Sequence, residues 1–154
     1  MFKKWVFTVA LLLSTQAQAY EQGDSLTPFA QQTLGLNPDV VTVIDFFAEW
    51  CVSCRVELPE VNALAKKLDS TKVVVLGVDV DEDVELARAF QQELGLTFPV
   101  INDPEQTLIE DFQPVGMPAL YYVYQGKVLK VRFGAIDRIG DVILKDLAAI
   151  GVTL

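Results

Sequence analysis

Two predominantly apolar runs constrain the fold of this chain most strongly. Residues 40–47 read VVTVIDFF and residues 72–80 read KVVVLGVDV. Runs rich in β-branched residues are typical of strands that are buried on both faces. Between the two runs, apolar residues recur at the spacing of one helix face: Val61, Leu64, Ala65 and Leu68. A strand, a helix and a second buried strand predict an α/β fold, in which helices flank a central sheet.

The rest of the chain continues this alternation of helices and strands. A helix is predicted after the acidic cluster 81–83, with an end at Gly95 and an apolar face formed by Leu86, Ala87, Phe90 and Leu94. Residues 98–101 predict a short strand, and Asp103-Pro104 predicts a capped helix with proline at its first position. Two strands, 119–124 and 127–133, flank the hairpin signal Gln125-Gly126, and a last helix begins near Asp137. The sheet is therefore expected to be parallel or mixed and to end in an antiparallel hairpin.

The N-terminus has the pattern of a secretory signal peptide. Two lysines precede the apolar run WVFTVALLL, and small residues stand at Ala17 and Ala19. An apolar run of this length is shorter than the roughly 20 residues that span a bilayer. We therefore expect cleavage near Ala19-Tyr20, export to the periplasm and no stable membrane insertion afterwards. The expected layout is a signal peptide over 1–19, a polar lead-in over 20–39 and one folded domain over 40–154.

The charge of the exported chain excludes some partners. Without the two lysines of the predicted signal, 10 basic residues face 21 acidic ones, and the net charge is −11. Nucleic acids and anionic lipids are bound through basic patches. The sequence therefore predicts no nucleic-acid partner.

The chain contains two cysteines, Cys51 and Cys54, within the stretch DFFAEWCVSC, and no histidine. A disulfide across two intervening residues closes too short a loop to restrict the unfolded chain much, so a purely structural role is disfavoured. Structural zinc needs four Cys or His ligands, which the chain lacks. A reversible dithiol that needs no cofactor is the remaining interpretation.

The cysteines are predicted to lie where a strand leads into a helix. Unpaired backbone N–H groups and the positive end of the helix dipole stabilise a thiolate there and lower the cysteine pKa. Cys51, the first of the pair, is the candidate nucleophile. Cys54, one turn further and more buried, is the candidate for resolving a mixed disulfide.

Several motifs now resemble the thioredoxin superfamily and, within it, the TlpA/ResA-like exported thiol-disulfide oxidoreductases. Asp45 stands six residues before Cys51, residues 50–54 match the WCxxC motif, and Pro59 matches the kink proline of the active-site helix. Gly116-Met117-Pro118 matches the turn whose proline is cis in that family. The segment LTFPVINDPEQTLIEDFQPVGMP resembles the strand-helix insertion of the TlpA-like branch. The resemblance implies a thioredoxin-like fold with that insertion before the cis-proline turn.

The resemblance also implies roles for individual residues. Asp45 would be the buried acid that takes the proton of Cys54, and Glu57 would tune the thiols. Trp50, Met117 and Pro118 would contact the substrate, Met117 by strand-like pairing of its backbone. Plainer alternatives exist for these roles. Asp45 could be a capping aspartate, Glu57 an exposed helix carboxylate and Trp50 a packing aromatic. Pro118 could lie in an ordinary trans turn.

The implied activity is reduction of protein disulfides, with substrates such as the haem-attachment cysteines of apocytochrome c. A membrane-embedded thiol reductant would regenerate the dithiol. Ala119 and Pro114 depart from the family pattern of threonine and valine, which alters the edge where a substrate would pair. Three alternatives remain: a disulfide-donating oxidant, a peroxidase, which Ala48 disfavours in place of the required threonine, and a binding module with a structural disulfide.

Overall fold

The structure, a computed structural model, describes residues 18–153. Residues 1–17, with most of the predicted signal peptide, lie outside the described residues. Among residues 18–153, no helix has the length and apolar character that crossing a bilayer requires.

Within residues 18–153, five strands form one mixed sheet in the order β3-β2-β1-β4-β5. They are β1 (Val41–Phe47), β2 (Val73–Asp79), β3 (Val100–Asn102), β4 (Ala119–Tyr124) and β5 (Lys127–Phe133). β1 pairs in parallel with β2 and antiparallel with β4, β2 pairs in parallel with β3, and β4 pairs antiparallel with β5. The predicted mixed sheet with a terminal hairpin is confirmed.

In the part of the chain that the structure describes, five helices accompany the sheet. They are α1 (Pro28–Thr33), α2 (Val52–Ala65), α3 (Val84–Glu93), α4 (Thr107–Phe112) and α5 (Ile139–Ala149). One apolar cluster joins α2, α3 and α5 to one face of the sheet through residues such as Leu58, Phe90 and Ile143. A second cluster joins α1 and α4 to the other face through Ala30 and Phe112. Helices therefore cover both faces, as predicted.

Alternation along β1 decides which side chains reach the active-site helix. Val43 and Phe47 belong to the cluster around α2, whereas Ile44 and Phe46 belong to the opposite cluster. Because strand side chains alternate between faces, Asp45 points to the same side as Val43 and Phe47. The sheet thus directs the carboxyl group of Asp45 toward the helix that carries the cysteines.

Two local predictions are wrong, and one helix was not predicted. The lead-in contains helix α1, whose N-cap Thr27 accepts a hydrogen bond from the N–H of Ala30. Pro104 does not open α4, which begins at Thr107; the carboxylate of Asp103 instead caps it from a distance by accepting from the N–H groups of Leu108 and Ile109. Leu86 is 44% exposed and does not belong to the core.

Candidate active site

The two cysteines are joined in a disulfide at the N-terminus of α2. The S–S distance is 2.13 Å and the Cα atoms are 5.2 Å apart. Cys51 is the N-cap residue, and its Sγ accepts a hydrogen bond of 3.3 Å from the N–H of Cys54. Cys51 is thus the cysteine whose sulfur faces the free N–H groups of the helix, where a thiolate is stabilised.

The exposed fraction of the side chains falls from Trp50 through Cys51 to Cys54, and dithiol exchange requires the attacking cysteine to be more accessible than the resolving one. Trp50 is 64% exposed, Cys51 is 6% exposed and Cys54 is completely buried. An incoming disulfide can therefore approach the sulfur of Cys51 past the indole of Trp50, while Cys54 is covered by the protein.

Asp45 lies on the face of β1 that packs against α2, the helix that carries the cysteines. It is 2% exposed, and its Oδ1 has no hydrogen-bond partner. Burial raises the pKa of Asp45 well above its ordinary value, and the negative charge of Glu57 raises it further. A carboxyl group whose pKa is raised in this way holds a proton more readily than an ordinary aspartate does, which is the property that a general base for Cys54 needs.

Glu57 occupies the first turns of α2 and is also buried. It is 7% exposed, so the alternative of an exposed helix carboxylate does not apply. Its Oε1 accepts a hydrogen bond from the backbone N–H of Ile136, in the segment between β5 and α5. Burial raises the pKa of Glu57, the bond from Ile136 opposes this, and Glu60 adds to the rise.

A groove of about 440 Å³ opens beside Cys51. Its walls include Trp50, Cys51, Val115 and Met117, and one side is formed by residues of α4 and the segment that follows it. The Met117–Pro118 peptide bond is cis, as the resemblance implied. Trp50, Met117 and Cys51 therefore meet at one cavity, large enough to hold part of an extended peptide.

Two further residues support the site, and motif reasoning did not find them. The guanidinium of Arg55 binds the carboxylates of Glu49 and Glu93 and lies 4.8 Å from the centroid of the Phe90 ring. Asp81, which directly follows the buried run 72–80, accepts a hydrogen bond from the N–H of Glu49. A signal for Asp81 existed, since acids at the carboxyl ends of parallel strands often lie beside functional loops.

Residues 22–132 match the model of the AhpC/TSA family. The chain belongs to the AhpC/TSA family. The match begins in the lead-in, covers the dithiol and the cis-proline turn, and ends within β5.

Members with assigned functions share the predicted type of chemistry. The thiol-disulfide oxidoreductase ResA of Oceanobacillus iheyensis is 26% identical over 158 residues, which are 93% of this chain and 81% of the relative. ResA of Bacillus subtilis is 27% identical over 94 residues, 60% of this chain and 52% of the relative. The chain therefore spans only about half of the second relative. The predicted resemblance to ResA-like oxidoreductases is confirmed.

Solved structures of similar shape confirm the thioredoxin-like fold. A thiol:disulfide interchange protein DsbE from Chlorobium tepidum superposes with a TM-score of 0.72 at 22% identity, covering 86% of this chain and 99% of that one. StoA from Bacillus subtilis gives a TM-score of 0.63 at 21% identity, covering 71% and 84%.

Proposed function

We propose that this thiol-disulfide oxidoreductase reduces disulfides of partner proteins in an extracytoplasmic compartment. The observation that carries the proposal is the Cys51–Cys54 disulfide at the start of α2, with a groove on the Cys51 side and two buried carboxyl groups near the pair. The names of the ResA relatives support the type of reaction.

The reaction proceeds in two exchanges. The thiolate of Cys51 attacks one sulfur of the substrate disulfide, that S–S bond breaks, and the first substrate thiolate leaves. Cys54 then passes its proton to the carboxylate of Asp45 and attacks Sγ of Cys51, which expels the second substrate thiolate. The substrate gains two electrons, and the Cys51–Cys54 pair loses them.

The electrostatics around the pair favour the reducing direction. A strong disulfide donor has a reduced form stabilised by a low thiol pKa. Here Glu57, three residues after Cys54 on α2, places a carboxyl group beside the pair, and the chain contains no histidine that could supply a positive charge. The guanidinium of Arg55 is bound by Glu49 and Glu93. A nearby negative charge that neither a histidine nor an unpaired Arg55 offsets destabilises the thiolate form of the reduced pair. The oxidised form is then favoured, which makes the dithiol a reductant.

The roles of the site residues belong to the same proposal. Cys51 is the nucleophile, Cys54 resolves the mixed disulfide, Asp45 is its base and Glu57 tunes the thiols. Trp50 and Met117 contact the substrate polypeptide at the groove. Pro118, predicted to contact it as well, is buried and does not line the groove; it holds the turn that presents the backbone of Met117. The alternative of a peroxidase gains no support from Ala48, which is buried, carries no hydroxyl group and uses its carbonyl to accept from the N–H of Cys51 at 3.2 Å.

The compartment and the partners are inferred from the N-terminal pattern and the family. A signal peptide over 1–19, cleaved near Ala19-Tyr20, would deliver a chain with a lead-in over 20–39 and a thioredoxin-like domain over 40–154 to the periplasm. Haem-attachment cysteines of apocytochrome c are the proposed substrates. Because reduction consumes the dithiol, a membrane-embedded thiol reductant would have to regenerate it.

The reduction potential of the Cys51–Cys54 pair tests the direction of electron flow. Purified protein that begins at Tyr20 is equilibrated with glutathione or dithiothreitol buffers of defined potential, and the fraction of free thiol is measured. A value near or below about −230 mV supports a reductant. A value near about −120 mV contradicts the proposal and makes the protein a disulfide donor.

A trapping experiment tests whether the pair exchanges with proteins at all. Cys54→Ser leaves Cys51 without its resolving partner, so disulfide-linked adducts with a substrate protein should accumulate and dissolve on addition of dithiothreitol. Cys51→Ser is the matched control and should form none. Absence of adducts in Cys54→Ser would favour a binding module with a structural disulfide.

A further inference from the structure

The loop that precedes Cys51 is hydrogen-bonded to a buried carboxylate, that of Asp81. Oδ2 of Asp81 accepts a hydrogen bond of 2.7 Å from the backbone N–H of Glu49, two residues before Cys51. Asp81 is 3% exposed although it follows the end of a strand. A charged acceptor for a backbone N–H makes a strong bond. Because the loop contains only residues 48–50 between β1 and Cys51, this bond constrains the backbone that leads into the nucleophile.

Asp81 is itself attached to the sheet through Asp79. The N–H of Asp81 donates to Oδ1 of Asp79 at 3.1 Å, and Oδ2 of Asp79 accepts from Nε2 of Gln91 on α3 at 2.9 Å. Asp79 is completely buried and is paired with Phe47 in β1 and with Asn102 in β3. Hydrogen bonds therefore run without interruption from α3 through Asp79 and Asp81 to Glu49.

We propose that Asp81 is a positioning residue for Cys51, that it acts through the N–H of Glu49, and that the protonation of Asp79 controls how firmly it holds the loop. The proposal rests on the dithiol chemistry of Cys51 proposed above, but it does not depend on the direction in which electrons flow.

The position of the loop matters because the thiolate of Cys51 is stabilised only when its sulfur lies against the N-terminus of α2. Cys51 is an N-cap residue with φ −83° and ψ 100°, a conformation that turns its Sγ toward the N–H of Cys54. If Glu49 is released, Cys51 can rotate away from this capping position. Its thiolate then loses the contact with the helix terminus that lowers the thiol pKa.

Protonation of Asp79 determines how strongly Asp81 is attached to the sheet. Burial, as the largest cause, and the neighbouring carboxyl group of Asp81 raise the pKa of Asp79 to about 6, although hydrogen bonds from Gln91 and the N–H of Asp81 oppose the rise. Below that pH, the protonated Asp79 can donate to the carboxylate of Asp81 and complete the chain of bonds to Glu49. Above it, two buried carboxylates repel each other, and the attachment of Asp81 weakens.

The other charged groups around this pair already have partners or lie in solvent. Arg55, on α2, binds Glu49 and Glu93, and Asp103, at the end of β3, accepts from the first N–H groups of α4. Gln91 and Asn102 are neutral. Glu82 and Asp83 are exposed. Among residues 18–153, no cation forms a salt bridge with Asp79 or Asp81, so the repulsion between them is uncompensated.

Three variants separate positioning from simple stabilisation. Asp81→Ala removes the acceptor for Glu49. Asp79→Asn replaces the titrating group by a neutral amide, which removes the repulsion of the Asp81 carboxylate at every pH. Glu82→Gln is the control, because it removes one negative charge from the adjacent exposed position. Two quantities are measured: the Cys51 thiol pKa, from the pH dependence of iodoacetamide alkylation of the reduced protein, and the hydrogen-exchange protection of the Glu49 amide.

The expected results differ among the variants. Asp81→Ala should raise the thiol pKa by about one unit, roughly the loss of one hydrogen bond to a thiolate. The protection of the Glu49 amide, corrected for its intrinsic exchange rate, should fall in the wild type by about tenfold between about pH 5 and pH 7.5. Asp79→Asn should keep the higher protection at both pH values, and Glu82→Gln should behave like the wild type in both measurements.

Two outcomes would overturn the proposal. The first is an Asp81→Ala protein that melts earlier but keeps the wild-type thiol pKa, because Asp81 would then be structural. The second is a wild-type Glu49 protection that does not depend on pH. If Asp81→Ala does not fold, the proposal is still tested by the hydrogen-exchange protection of the Glu49 amide, compared between the wild type and Asp79→Asn at both pH values. A disulfide-donating reduction potential would contradict the proposed function alone and leave this proposal standing.

Discussion

The carboxylate of Glu57 accepts a hydrogen bond from the backbone N–H of Ile136, 79 residues further along the chain. This contact joins the active-site helix α2 to the segment that leads into α5. Glu57 lies in the turn of α2 that follows Cys54, and it is only 7% exposed. The same side chain therefore binds two parts of the fold together and places a negative charge near the thiols.

Replacing Glu57 by Gln should make Cys51 more acidic. The amide oxygen can still accept from Ile136, but the negative charge that disfavours a nearby thiolate is removed. The Cys51 thiol pKa, measured by alkylation of the reduced protein, is expected to fall, and the reduction potential should become more oxidising. Glu60→Gln is the control, because Glu60 carries the same type of charge one turn further along α2 but is exposed, and its carboxylate accepts a hydrogen bond of 3.3 Å from the N–H of Gly140. An unchanged thiol pKa in Glu57→Gln would show that its charge does not reach the sulfurs.

Replacing Asp45 by Asn should slow the second exchange step. Without a base, Cys54 keeps its proton, and the loss of such a group typically costs about 10²–10⁴ in rate. Rapid mixing of the reduced variant with a disulfide substrate should therefore show the mixed disulfide accumulating at neutral pH. A mixed disulfide that resolves at the wild-type rate would mean that another group takes the proton.

Asp45 should also make the stability of the protein depend on pH. Its folded-state pKa is raised well above 3.8, the ordinary value, so the folded state binds the proton more tightly than the unfolded state does. The free energy of unfolding should consequently fall as pH rises from about 4 through the raised pKa. In Asp45→Asn this fall should be smaller and the melting temperature at neutral pH higher. Asp79 makes a contribution of the same sign up to about pH 6, so the comparison is made between the two proteins at each pH.

The ion pair between Arg132 and Asp146 should be the most important one for stability. Asp146 is 3% exposed and accepts from both Nε and a terminal nitrogen of Arg132, at 2.9 and 2.7 Å. Arg132→Met would leave this buried carboxylate with Lys130 alone. Because the Arg132 side chain is 39% exposed, the loss should be about 1–3 kcal/mol, less than for a fully buried pair. Denaturant unfolding measures the loss. Arg138→Met is the control, because its exposed pair with Asp141 should contribute no more than about 0.5 kcal/mol.

The indole of Trp50 should contribute to the recognition of protein substrates and not to the redox centre itself. Trp50→Ala removes an apolar surface that is 64% exposed at the groove. Reduction of a protein disulfide such as that of insulin should slow, while the reaction with dithiothreitol and the melting temperature stay the same. Phe29→Ala, on α1, is the control because Phe29 is 45% exposed and does not line the groove. Equal losses with both substrates would place Trp50 in the redox chemistry.

Regular patterns made much of the fold predictable. The strands β4 and β5 begin and end where the sequence indicates, because Gln125-Gly126 has positive φ angles at both positions and supports a tight hairpin. The strand β3 begins two residues later than predicted, and α4 begins three residues after Pro104. In these short segments, tertiary contacts outweigh local preference, since three to six residues carry little periodicity.

Local order along the chain specifies the two buried strands, the position of the cysteines at a strand-to-helix junction and the placement of Asp45 in an apolar run. The burial of Glu57 against Ile136, and the bond from the N–H of Glu49 to Asp81, arise from packing in three dimensions. Such contacts join residues 32 and 79 positions apart, and their existence depends on how strands and helices pack, which residue periodicity does not specify.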